Sequence, residues 1–169
     1  MHVVAEATDA ATAVEVCTEL QPRCVVVGLG DAPPAVATIR AACPAVAIVL
    51  VVTPAAADAA VAGLRAGARG FLNREALAQA PAVVRAVTGG VVALPPLLAA
   101  ALLDGGAPTG GPPLELSGPE RDVLRHLAGG RSYGAAADAV GVTEERAKTL
   151  VAAVVDRFQE SVRAPGGRG

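Results

Sequence analysis

The sequence predicts an open parallel α/β domain followed by an all-α domain, and three observations lead there. Through about residue 89, short valine-rich runs alternate with alanine-rich stretches at helical spacing. From Gly105 to Pro113 glycines and prolines dominate and no apolar period survives. Beyond Pro113 the apolar period is helical throughout. Alternating strands and helices form parallel sheets with helical crossovers, and a Gly/Pro stretch between periodic segments is a linker. The expected division is therefore an α/β domain over 1–89, a helical segment and linker over 90–113, a helical domain over 114–163, and a disordered tail over 164–169.

The elements follow in order. His2–Ala5 is a strand candidate, and Ala11–Leu20 a helix with Ala13, Val14, Cys17 and Leu20 at helical spacing. Cys24–Val27 is a continuous apolar run, as expected of a strand buried on both faces. Ala35–Cys43 reads as a helix that stops before Pro44. Val46–Val52 is the strongest strand signal, followed by a helix over Ala55–Arg65 and a short strand over Gly70–Leu72. A helix starting near Pro81 runs to about Val87, and another lies within Leu94–Leu103.

Composition narrows the function classes. Of 169 residues, 53% are hydrophobic but only 2% aromatic, so the core is built of small aliphatics. The net charge of −2 supplies no global attraction to nucleic acid, and any such binding must come from a local patch. Cys17, Cys24 and Cys43 form no CxxC pair and lie near no histidine cluster, which fits small buried hydrophobes in a reducing compartment. There is no basic leader followed by an apolar stretch and no uninterrupted apolar run of membrane-spanning length. A cytoplasmic protein with no membrane partner is expected. No Ser/His/Asp set, metal cluster or P-loop stands out, and Gly28-Leu29-Gly30 lacks the third glycine of a dinucleotide site. The expectation is a non-enzyme with no cofactor, metal or small-molecule ligand.

In the last third, Ser117-Gly118-Pro119-Glu120 fits a capping box that opens a first helix with Val123, Leu124 and Leu127 inside. Ser132 caps a second helix through Val140, Gly141 makes a tight turn, and Thr143 caps a third. In that third helix Ala147, Leu150, Val151, Val154, Val155 and Phe158 form one apolar stripe, and Glu145, Lys148, Thr149, Ala152 and Asp156 face away. Two short helices, a tight turn and a capped third helix have the geometry that sets a helix N-terminus in a major groove.

These residues carry a resemblance. From Leu116 to Phe158 the order Leu-Ser-x-x-Glu-Arg-x-Val-Leu, Ala-x-Gly-x-Ser, then Val-Thr-Glu-x-x-x-Lys-Thr-x-Val resembles, without a gap, the helix-turn-helix of NarL/LuxR-type response regulators. The resemblance implies a DNA-binding transcription regulator acting on double-stranded DNA. It assigns phosphate and base contacts to Lys148 and Thr149, within a DNA-facing set of Thr143, Glu144, Arg146, Lys148, Thr149 and Ala152. Lys148 is the only lysine among 14 basic residues. Ala152 and Ala153 stand where many relatives are polar or basic, Ala135 replaces an acidic residue, and Leu150 a common histidine. Leu116 to Arg163 holds as many acidic as basic side chains, so binding weaker than in a typical member is expected, and easily lost with salt. The helix that such proteins add after Phe158 for dimerisation is replaced by Gln159–Arg163 and a Pro/Gly stretch.

The first half resembles a degenerate receiver domain. Ala66-Gly67-Ala68-Arg69-Gly70-Phe71-Leu72-Asn73-Arg74 resembles the run around a receiver's fifth strand, and Val3-Val4-Ala5-Glu6-Ala7 its second. The resemblance puts Gly28 at the phosphoacceptor position, Arg74 at the phosphate-pairing lysine, and Val52 or Thr53 at the switch hydroxyl; Asp31 lies beyond the strand as a loop residue. The first strand of a flavodoxin-like receiver sheet, with its acidic pair, has no counterpart. Three explanations stand open: a start upstream, direct pairing of the second strand with the third, or a strand from a partner chain. The implied function is regulation independent of aspartyl phosphorylation. The alternative is a pseudo-response regulator that forms heterodimers and titrates a relative without binding DNA; a homodimer is compatible with either.

Overall fold

The central strand of the sheet is a run of branched aliphatics buried on both faces, and the two strands beside it are shorter. The computed structural model describes residues 2–28, 32–53, 57–105 and 114–163. Cys24–Val27 (β1), Ala47–Val52 (β2) and Gly70–Asn73 (β3) form a parallel sheet in the order β1-β2-β3. The register pairs Val27 with Leu50, and Leu50 with Phe71. Helices Ala10–Leu20 (α1), Ala32–Ala42 (α2), Ala57–Ala66 (α3) and Ala80–Thr88 (α4) surround it, with a 3-10 segment over Arg74–Gln79. These elements lie in one compact unit, Met1–Ala93. Alternation along β2 sends neighbouring side chains to opposite faces. Val49 meets Leu72 and Val87 of α4, whereas Leu50 and Phe71 close over Gly63 of α3. The sheet is thus sandwiched, with α1 packed on α2 in the α2–α3 layer.

The strand expected at His2–Ala5 is not formed. Those residues are non-regular, and Val3 and Val4 remain 63% and 58% exposed. An apolar run becomes a strand only when a neighbour takes up its N–H and C=O groups, and β1 does not do so. Direct pairing of the second receiver-like strand with the third is thereby ruled out. α2 starts at Ala32, earlier than expected, because Pro33 and Pro34 fall in its first turn, where a missing N–H costs nothing.

The run Ala66–Leu72 is a packing device. Gly67 has φ +117, and a Cβ there would run into Arg40. The Arg40 guanidinium donates to the Gly67 carbonyl at 2.9 Å. A Cβ on Gly70 would lie 2.6 Å from Val87, so glycine is what lets α4 seat on β3.

The second unit spans Leu94–Gly169. It contains Pro96–Leu103 (α5), Gly118–Ala128 (α6), Tyr133–Val140 (α7) and Glu144–Arg163 (α8). The sequence reading places α5 in a connecting segment, but here it packs on α6. Its sequence PLLAAALL is apolar on every side, and Leu98, Ala99 and Leu102 are fully buried. Such a helix needs cover from a neighbour. The rest of the expected linker, and the expected tail over 164–169, lie outside the described residues.

Candidate nucleic-acid interface

Local chemistry sets each end of the three C-terminal helices. The Ser117 N–H donates to Glu120 at 2.9 Å, the reciprocal half of a capping box that opens α6. The Ser132 hydroxyl accepts from the Ala135 N–H at 3.2 Å and opens α7. Gly141 ends α7 with φ 75 and ψ 33, a left-handed conformation that an L side chain resists. Two residues later Thr143 Oγ1 accepts the Arg146 N–H at 3.2 Å, which caps α8. The left-handed glycine lets α8 leave at a new angle while α7 and α8 stay in contact.

One stripe of α8 is buried: Ala147, Leu150, Val151, Val154, Val155 and Phe158. Val123, Leu124 and Leu127 of α6 and Ala136 and Ala137 of α7 are buried too. Across this core Arg157 of α8 donates to Glu120 at 2.8 Å, so one carboxylate both caps α6 and ties α8 to it. Burial raises the Glu120 pKa, but the Ser117 N–H and Arg157 outweigh it and hold the group below its ordinary value.

Thr143, Glu144, Arg146 and Thr149 are exposed at the start of α8. Lys148 and Ala152 are half-buried, where the sequence reading has them facing outward. Lys148 folds back over the first turn, 2.8 Å from Glu144 and 2.9 Å from Glu145, leaving 23% of its side chain exposed. These pairs follow the i, i+3 and i, i+4 geometry of a helix surface. Hydrogen bonding to Glu144, then Glu145, raises the Lys148 pKa, so the ammonium is charged at neutral pH. The Thr149 hydroxyl donates to the Glu145 carbonyl at 2.8 Å, and the residue is exposed. This surface has two cations and two carboxylates within five positions, and is a local patch of compensated charge.

In the first unit, Gly28 follows β1 and Thr53 follows β2, while Arg74 opens the segment after β3. The register puts these positions at the carboxyl edge of the sheet. Gly28 brings no side-chain oxygen there, and Asp31 lies outside the described residues. The Asp9 carboxylate caps α1 through the Thr12 N–H at 2.9 Å. Among the described residues no group of three or more His, Cys, Asp or Glu side chains stands ready for a metal. No described helix is long and apolar enough to cross a membrane.

The response regulator RcsB of Salmonella typhimurium, a structure described by its conformational dynamism for DNA interaction, matches this chain with a TM-score of 0.51. The match is 18% identical and covers 93% of this chain and 79% of that one. The chain has a response-regulator fold. A second RcsB structure gives 0.49 at 16% identity, over 89% and 76% of the two chains. ChrA, the response regulator of a heme-sensing two-component system, gives 0.46 at 23% identity, over 95% and 83%. No family model and no curated protein matches the sequence.

Proposed function

We propose that this chain is a cytoplasmic transcription regulator that binds double-stranded DNA through a helix-turn-helix formed by α7, Gly141 and α8, without aspartyl phosphorylation. The observation that carries the reading is the start of α8. A left-handed glycine and a threonine cap present Arg146 and Thr149 on an exposed turn, with the half-buried Lys148 between them. An exposed, cation-bearing helix N-terminus is what a major groove admits. Arg146 and Lys148 provide about two phosphate contacts per chain, so log K against log salt has a slope near −2 per chain. Salt-graded gel shifts on genomic fragments test this, and a flat salt response removes it.

The same surface supports the second reading, a module that pairs with a related regulator and titrates it. Glu144 and Glu145 neutralise Lys148 and repel phosphate. Under that reading the purified chain shifts no fragment, and adding it lowers the DNA occupancy of the relative it pairs with.

A further inference from the structure

Among the described residues of the first unit, the sheet ends at β1 and open space lies beside it. β1 pairs with β2 along one edge only, so the outward N–H and C=O groups of Cys24–Val27 face no described strand. Beside that edge lies a cavity of about 1420 Å³. Val25 and Val26 form its near wall, Val3 and Val4 its far rim, Leu20 of α1 one cover and Val84 of α4 another. These two covers belong to opposite sides of the sheet, because α1 packs on α2 while α4 packs on the face carrying Val49 and Leu72.

Exposure points to the same place. Among the described residues the exposed large hydrophobics are Val3, Val4, Leu20, Val26, Leu77 and Leu97, and the first four all line this cavity. Valines exposed by 47% to 63% around an unpaired strand edge are an uncovered surface, not scattered apolar residues. A strand in a layered sheet takes roughly 160 Å³ per residue, from its rise, its spacing and the layer separation. At that volume per residue the cavity of about 1420 Å³ has room for about nine residues, more than the five or six of an ordinary strand. With both faces covered, that strand must be apolar at consecutive positions.

Charge sets its direction. Arg23 precedes β1, and Arg85 lies in the last turn of α4, which returns antiparallel to the strands. Glu6 and Asp9 precede α1, which also runs against β1. All four line the cavity, the cations toward the amino end of β1 and the carboxylates toward its carboxyl end. We infer that this slot takes one extended apolar strand from a partner polypeptide, parallel to β1, with an acidic residue at the strand's amino end and a basic one at its carboxyl end. Backbone pairing with β1 provides the adhesion and the apolar run the specificity.

The probe is a fluorescent peptide with the run Ala47–Val52, itself fitted to both faces of this sheet, flanked by glutamate at the amino end and lysine at the carboxyl end. Anisotropy titration with the full chain should saturate. Val26→Lys should weaken binding by roughly tenfold or more, since an edge lysine blocks strand addition. It should leave the melting curve unchanged, because Val26 is already exposed. Exchanging the two flanking charges should weaken binding, and a central proline should abolish it. Absence of saturation overturns the inference, as does equal affinity for Val26→Lys or indifference to the exchanged charges. A dimer of the chain that Val26→Lys disrupts, with no peptide binding, makes a second copy the occupant and overturns it too.

Discussion

Glu144 and Glu145 favour the start of α8, because carboxylates suit the positive end of a helix, yet they stand where a phosphate would approach. Lys148 spans both, so under the proposed DNA binding its charge would meet a phosphate only by giving up two carboxylates. The spacing Glu144, Glu145, Lys148 makes these pairs legible in the sequence. The Glu120–Arg157 pair was not legible, since the partners are 37 residues apart and meet only when α6 and α8 pack. Its consequence is a pH dependence. The folded Glu120 pKa is depressed, so its stabilisation is fully present above the unfolded carboxylate range and is lost as pH falls through the folded value. Glu120→Gln should therefore lower the stability of the second unit by about 1–3 kcal/mol at neutral pH. The gap between wild type and variant should close below roughly pH 4 in thermal melts followed by circular dichroism. A gap that stays constant from neutral to acid pH would mean the carboxylate is not the stabilising group.

At the scale of elements, the sequence is most readable where an apolar run is continuous or capping is local. β1 coincides with its apolar run although it is only partly covered, with Val26 exposed, and α6, α7 and α8 begin beside the capping residues Ser117, Ser132 and Thr143. His2–Ala5 misleads because pairing depends on a neighbour far along the chain. α5 misleads because its flanking prolines and glycines suggest a connector, while its all-round apolarity asks for a partner. The packing of α5 on α6 gives a prediction. A fragment Leu94–Gly169 should melt cooperatively, and a fragment beginning at Leu114 should melt at lower temperature. Leu98 and Leu102 are fully buried, worth about 1.5–3 kcal/mol each before the entropy of ordering is subtracted. Equal melting temperatures would show that α5 adds nothing to this unit.

For the whole molecule, a response-regulator fold stands without an aspartate at the position that the receiver resemblance assigns to the acceptor. Acetyl phosphate and Mg²⁺ should add no phosphoryl mass to the intact protein, as read by mass spectrometry. Stoichiometric incorporation would restore phosphorylation as the input. The central claim, that the first turns of α8 engage DNA, is tested most directly by salt-graded binding of the wild-type and Lys148→Ala proteins to the same bound fragment. Alanine is a better helix former than lysine and the buried stripe is untouched, so the variant should stay folded. Val151→Ala is the contrasting control: it opens a cavity in the core and should destabilise the unit by about 1–2 kcal/mol. The account predicts that Lys148→Ala weakens binding and makes the salt slope shallower by roughly 1 for a phosphate contact, or costs about 1–3 kcal/mol at preferred sites for a guanine contact. An unchanged affinity and an unchanged salt slope in folded Lys148→Ala protein would contradict it.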